Sequence, residues 1–166
     1  MIRAIAIDDE PLALTVIESF CQQTDKIQLV KTFLKPNDAQ KYIENFPVDL
    51  IFLDIQMPSV SGIDFFKNLN RDVMVIFTTA YSEYAIEGFN LNAIDYLLKP
   101  FTLDRFQQAV HKAVEYFNFA TNSGNARQPF IEAVDERDIR CVNAQVAGDR
   151  RRRRPPARGR RSSRRT

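Results

Sequence analysis

Five short apolar runs alternate with amphipathic stretches along roughly the first 120 residues of the chain. The runs are almost continuously apolar, which is typical of strands buried on both faces of a parallel sheet. The predicted strands are Ile2–Ile7, Gln28–Phe33, Leu50–Asp54, Val73–Thr79 and Ala93–Leu98. Strand–helix units that repeat every 20–25 residues or so predict an α/β fold, a doubly wound five-stranded parallel sheet with helices on both faces.

The stretches between the strands carry apolar residues at helical spacing, so a helix is expected after each strand. Pro11 suits the first turn of the first helix, and Asn37 is the expected N-cap of the second. A short third helix follows a loop that ends at the breaker Gly62. Ser82 and Thr102 are the expected caps of the fourth and the last helix.

Polar residues follow four of the predicted strands, at the carboxyl edge of the sheet where ligands of open α/β folds bind. They are Asp8 and Asp9, then Asp54, Thr79 and Lys99. Neighbouring carboxylates repel unless a cation neutralises them, and Mg²⁺ prefers oxygen ligands. Asp54 could then accept a phosphoryl group, with an ammonium and a hydroxyl on its oxygens. Each residue alone is common at a strand end, but together they indicate a phosphoryl-transfer site.

The motifs around these residues resemble the receiver domain of two-component response regulators. The matching segments are Ile7–Pro11, Leu53–Pro58 with Ser61–Gly62, Phe77–Ala80 and Tyr96–Phe101. The resemblance covers residues 1 to about 120 in the family's order. It implies the flavodoxin-like receiver fold with strand order 2-1-3-4-5.

The resemblance also implies roles for the site residues. Asp54 would be the phosphoacceptor, and Mg²⁺ (or Mn²⁺) would be held by Asp9 directly, Asp8 through water, Asp54 and the backbone carbonyl of Gln56. Thr79 and Lys99 would contact the phosphoryl group.

Three further features are implied near these residues. Lys99–Pro100 would be a cis bond, which only X-Pro bonds readily permit. Tyr96 would be a switch residue that changes exposure as Thr79 moves, although a buried core aromatic is the commoner fate of a tyrosine. Tyr81 is expected to slow hydrolysis of the aspartyl phosphate.

The implied function is to accept phosphate from a sensor histidine kinase, in a self-catalysed reaction rather than as a turnover enzyme. Phosphorylation would switch the face formed by the fourth predicted helix, the fifth strand and the last helix, and would favour a homodimer. The aromatic-rich segment 78–101 resembles receivers attached to LytTR-type DNA-binding domains. DNA binding is therefore expected only through an output domain, largely absent from this sequence.

Charge divides the chain sharply. Residues 1–149 contain 13 basic and 21 acidic residues, a net charge of −8, whereas residues 150–166 contain ten arginines and no acid.

We expect a receiver domain at 1–120, a linker at 121–129, a possible start of an output domain at 130–142, and a low-complexity tail at 143–166. The tail would either bind nucleic-acid phosphates or be foreign to the natural protein. The abrupt change of composition favours the second of these alternatives.

Other classes of protein fit the sequence poorly. No apolar run approaches the ~18–20 residues of a membrane span, and no signal peptide is evident, so a cytoplasmic location is expected. Cys21 and Cys141 are distant and expected to be unpaired, and with one histidine a zinc site is improbable. The alternatives left open are a stand-alone receiver that works through protein contacts and, less favoured, a nucleic-acid-binding protein that uses its basic tail.

Overall fold

The computed structural model describes residues 1–80 and 93–122, which contain five strands. The strands form one sheet in the order β2-β1-β3-β4-β5, and every neighbouring pair is parallel. The predicted fold and strand order are confirmed. The strands are β1 (Ile2–Ile7), β2 (Ile27–Phe33), β3 (Leu50–Asp54), β4 (Met74–Thr79) and β5 (Asp95–Leu98).

Helices of the described residues cover both faces of the sheet. They are α1 (Pro11–Cys21), α2 (Pro36–Asn45), α3 (Gly62–Lys67) and α4 (Leu103–Asn122). Side chains of a strand point alternately to opposite faces, so each strand supplies two cores. The first core packs against α1 and α4 and includes Ala6, Phe52 and Phe106. The second packs against α2 and α3 and includes Ile7 and Phe77.

Several expected boundaries need correction. Strand β2 begins at Ile27 instead of Gln28, and β4 at Met74 instead of Val73. Asn37 does not cap α2, because Pro36 already occupies the first turn and Lys35 is the N-cap, without a side-chain cap hydrogen bond. The fixed backbone angle of proline favours that earlier start. Strand β5 begins at Asp95 instead of Ala93. Helix α4 runs to Asn122, so the first two residues of the expected linker are helical.

Side-chain oxygens accept hydrogen bonds at the N-termini of α3 and α4, the second from the expected cap Thr102. Ser61 caps α3, where its Oγ accepts a hydrogen bond from the Ile63 backbone N–H at 3.2 Å. Thr102 precedes α4, and its Oγ1 accepts a hydrogen bond from the Arg105 N–H at 3.3 Å. Near the other end of α4, Thr121 Oγ1 donates to the carbonyl of Phe117, four residues earlier in the helix, at 2.9 Å.

Several expectations lie outside the described residues. These are the fourth predicted helix with Ser82, the role of Tyr81, Cys141, most of the linker, the segment 130–142 and the arginine-rich tail. Among the residues that are described, no helix combines the length and apolarity that a membrane crossing requires.

Candidate functional site

The carboxyl edge of the sheet brings together the acidic residues that the sequence singled out. Asp8 follows β1 and Asp54 ends β3, and these strands pair directly in the sheet. Asp8 is fully buried and Asp54 is 5% exposed, whereas Asp9 faces solvent. One carboxylate oxygen from each of the three lies within 4.8 Å of the others.

Lys99 joins this cluster from the end of β5. Its Nζ donates to Asp8 Oδ2 at 2.6 Å and lies 3.4 Å from Asp54 Oδ1. Its backbone N–H donates to the Thr79 carbonyl at 2.7 Å, which fixes the start of the loop after β5. The second oxygen of Asp8 accepts from the Glu10 N–H at 3.0 Å. Asp8 is thus held from two sides.

The electrostatics of the cluster are those of a partly buried, negatively charged site. Burial raises the pKa of Asp54 to about 6; the ammonium of Lys99 opposes this shift, and the charges of Asp8 and Asp9 add to it. Burial alone would lower the pKa of Lys99, but the hydrogen bond to Asp8 and the charges of Asp54 and Asp8 raise it overall. Three carboxylates face one ammonium, so the cluster carries excess negative charge when all are ionised.

The acidic cluster opens into a cleft of about 450 Å³, lined by Asp8, Asp9, Glu10, Pro11, Asp54, Gln56, Ala80 and Lys99. Carboxylate oxygens crowded into such a cleft are a donor set that suits a divalent cation such as Mg²⁺ or Mn²⁺. The residues present therefore fit this group: Asp8, Asp9 and Asp54 would hold it. Gln56, expected to contribute its carbonyl, lines the same cleft.

Gly62 packs directly against the backbone of Asp54, a contact that its expected role as a loop breaker does not predict. A Cβ atom at this position would lie 2.0 Å from the backbone oxygen of Asp54. The Gly62 N–H donates to the Ile55 carbonyl at 2.8 Å, and the Ile55 N–H donates to the Thr78 carbonyl at 3.0 Å. The end of β3 is therefore held between β4 and the start of α3.

The remaining expected site residues lie close to this edge. Thr79 is the last residue of β4 and is 2% exposed. Tyr96 is a member of the second core, where its ring stacks on Phe77 with centroids 5.4 Å apart. The odd offset from Lys99 predicts this placement away from the cluster. The Lys99–Pro100 bond is cis.

Sequence reasoning missed a second charged cluster, where β5 meets α4. Arg105 donates to both carboxylate oxygens of Asp95, at 2.9 and 2.7 Å, and also to the Tyr96 carbonyl at 2.7 Å. Lys112 Nζ lies 3.4 Å from Asp95 Oδ2. The only signal in the sequence was an acid in an apolar run. Arg105 and Lys112 lie ten and seventeen residues after Asp95 in the sequence, and they reach it only because α4 packs against β5.

Comparisons with known proteins agree with the fold. The sequence profile of the family described as "Response regulator receiver domain" matches residues 4–111. The chain is 39% identical over 144 residues to an uncharacterized response regulatory protein of Vibrio vulnificus (strain CMCP6), covering 86% of this chain and 59% of that protein. It is 37% identical over 113 residues to the sensory transduction protein LytR of Staphylococcus epidermidis (strain ATCC 12228 / FDA PCI 1200), covering 66% and 45%. The chain thus spans about half the length of these curated relatives.

Solved structures show the same architecture. The response regulatory domain of protein mrkE from Klebsiella pneumoniae is 30% identical with a TM-score of 0.65, covering 70% of this chain and 98% of that one. The response regulator TrrA from Thermotoga maritima, in complex with Mg(2+)-BeF, is 28% identical with a TM-score of 0.61, covering 68% and 99%. The profile match extends over more than half of the chain. This chain belongs to the response regulator receiver domain family.

Proposed function

We propose that the chain accepts a phosphoryl group on Asp54 in a reaction that needs a divalent cation. One observation carries the proposal: three carboxylates supply oxygens within 4.8 Å of one another, with the Lys99 ammonium 2.6 Å from Asp8 and 3.4 Å from Asp54. Phosphoryl transfer depends mainly on positioning and on neutralisation of charge, and this cleft offers groups for both.

The transfer itself is a displacement at phosphorus. An Asp54 oxygen attacks, a P–O bond forms, and the P–N bond of a phosphohistidine on a sensor histidine kinase breaks; the leaving imidazole nitrogen takes a proton from solvent. Mg²⁺ would supply positive charge to the phosphoryl oxygens. Lys99 would move from Asp8 toward those oxygens, and the Thr79 hydroxyl would donate to another of them. In this proposal the chain acts as an acceptor that reacts once per phosphoryl group and not as a turnover enzyme.

The test is labelling by a small phosphate donor, radioactive acetyl phosphate with Mg²⁺. Wild type should take up one label per chain, and Asp54→Asn should take up none. Asp64→Asn is the matched control, because Asp64 is an exposed acid nearby on α3, and it should label normally. Chelation of the metal should abolish labelling. Labelling of Asp54→Asn at the wild-type level, or none on wild type, would contradict the proposal.

For the output step, we propose that phosphorylation draws Thr79 toward the site and changes the exposure of Tyr96. The support is that Thr79 ends β4 while Tyr96, on the adjacent β5, is 9% exposed and packed in the second core. Tyr96→Ala should uncouple partner binding from phosphorylation while labelling persists. Partner binding that still follows phosphorylation in this variant would refute the switch.

We further propose that the chain is the receiver part of a regulator that controls transcription through a LytTR-type DNA-binding output domain, and that it forms a homodimer when phosphorylated. The relatives named as a response regulatory protein and as the sensory transduction protein LytR support a regulatory role. DNA binding by the full-length gene product should increase on phosphorylation, and sedimentation should show dimers only with phosphate donor and Mg²⁺. Binding that is independent of phosphorylation, falls steeply with salt and disappears when only residues 143–166 are removed would favour the basic tail instead.

A further inference from the structure

Thr78 pairs with the proposed phosphoacceptor Asp54 in the sheet, and none of the roles described so far accounts for its buried hydroxyl. Thr78 is fully buried, and its Oγ1 has no hydrogen-bond partner among the described residues. A buried hydroxyl without a partner destabilises a fold, and valine would fill the same space without that cost. Each such group in a native core calls for a reason.

The register of the sheet shows what lies next to this hydroxyl. Thr78 pairs with Asp54 on one side and with Leu97 on the other. Residues paired in parallel strands point to the same face, and the strands lie about 4.8 Å apart. Phe52, two residues before Asp54, and Leu97 both belong to the first core. Asp54 is therefore the polar neighbour of Thr78 in this row of the sheet.

We propose that Thr78 is a positioning residue for the phosphoacceptor. Its hydroxyl donates a hydrogen bond to the Asp54 oxygen that does not receive the phosphoryl group, once Lys99 has moved from Asp8 toward the phosphoryl oxygens. A rotation about the Cα–Cβ bond of Thr78 brings the hydroxyl toward its neighbour across the strand spacing. The bond fixes the Asp54 side chain while its other oxygen reacts. This inference rests on the proposed phosphorylation of Asp54 and deepens it.

The experiment compares two variants of the full chain. Thr78→Val removes the hydroxyl and keeps the volume, whereas Thr78→Ser keeps the hydroxyl. With radioactive acetyl phosphate and Mg²⁺, the initial rate of labelling should fall about tenfold in Thr78→Val and stay within about threefold of wild type in Thr78→Ser, as expected for a hydrogen bond to a charged group. Thr32→Val is the matched control, because Thr32 lies on β2 and its hydroxyl donates to Glu18 of α1, and it should label normally.

Urea unfolding without metal gives a readout that does not depend on phosphorylation. Thr78→Val should unfold at the same or a higher urea concentration than wild type, because it loses an unpaired buried hydroxyl. A destabilised Thr78→Val, a Thr78→Val variant that labels like wild type, or a Thr78→Ser variant as slow as Thr78→Val would each overturn the inference. If wild type takes no label, both this inference and the proposed function fail; equal labelling of wild type and Thr78→Val removes only this inference.

Discussion

Gly62→Ala is the substitution whose effect the structure defines most directly. The added Cβ would lie 2.0 Å from the backbone oxygen of Asp54, 3.0 Å from its carbonyl carbon and 3.1 Å from the Ile55 Cα. A carbon and an oxygen in contact stay about 3.3 Å apart, so the loop and the end of β3 must separate by about 1.3 Å. All three atoms are backbone atoms, so no side-chain rotation can relieve the clash.

Two effects should follow from this displacement. Overpacking of this kind costs about 1–3 kcal/mol of unfolding free energy. We expect the upper end here, because the displacement would also stretch the hydrogen bond from the Gly62 N–H to the Ile55 carbonyl. An error of about 1 Å in the placement of a reacting group can cost 100-fold in rate, so labelling of Asp54 should slow by at least about tenfold. Urea unfolding and the initial rate of labelling with acetyl phosphate measure the two effects.

Ser61→Ala is the matched control for this experiment. It removes the cap of α3, which should cost about 1 kcal/mol, but it places no new atom against Asp54. Its labelling rate should therefore match wild type. The reasoning is refuted if Gly62→Ala retains wild-type stability and labelling rate, or if Ser61→Ala slows labelling as much as Gly62→Ala does.

Three further substitutions test other parts of the fold. Phe106 is fully buried in the first core, so Phe106→Ala should cost about 3–5 kcal/mol in urea unfolding, and a loss below 1 kcal/mol would argue against this packing. The hydrogen bonds of Arg3 hold the pKa of Asp49 below its usual value. The ionised Asp49–Arg3 pair therefore stabilises the fold above about pH 4, and this stabilisation is lost as the pH falls further. Asp49→Asn should thus be less stable than wild type at pH 7 and equally stable near pH 2. A difference in unfolding free energy that does not change with pH would contradict this. Arg105→Gln leaves the buried Asp95 with only Lys112 of its described cationic partners and should lose about 2–3 kcal/mol, whereas an unchanged unfolding midpoint would show that the pair contributes nothing.

The apolar pattern was sufficient to predict the parallel sheet and the edge where the acidic residues meet, whereas the strand order was implied only by the family resemblance. The reason is geometric: parallel strands end at one edge, so Asp8 and Asp54 must meet there once β1 and β3 pair. Lys99 is less constrained, because a flexible side chain decides which carboxylate it approaches. The structure places its ammonium nearer to Asp8 than to Asp54, a preference that no pattern in the sequence contains.

Features that depend on distances between elements could not be predicted. Asn37 has the chemistry of a cap, but Pro36 occupies the first turn of α2, so the N-cap is Lys35, two residues earlier. The sequence predicts Gly62 only as a loop breaker, whereas in the structure its lack of a side chain allows the close approach to the Asp54 carbonyl. The Asp95–Arg105 pair needs α4 to lie on β5 before the two side chains meet.

The end of β4 suggests how one edge of the sheet serves both reception and transmission. Adjacent residues of a strand face opposite sides, so Thr78 lies on the face of Asp54 while Thr79 lies on the face of Phe77 and Tyr96. Under the proposed function and the inference for Thr78, the Thr78 hydroxyl positions the Asp54 side chain. The Thr79 hydroxyl transmits the phosphorylation of Asp54 to the second core. Substitutions one residue apart should then separate the two steps: Thr78→Val should slow labelling while the label, once present, still alters Tyr96 exposure. Thr79→Val should break the link to Tyr96, and if both variants lose both properties together, the division between the faces is wrong.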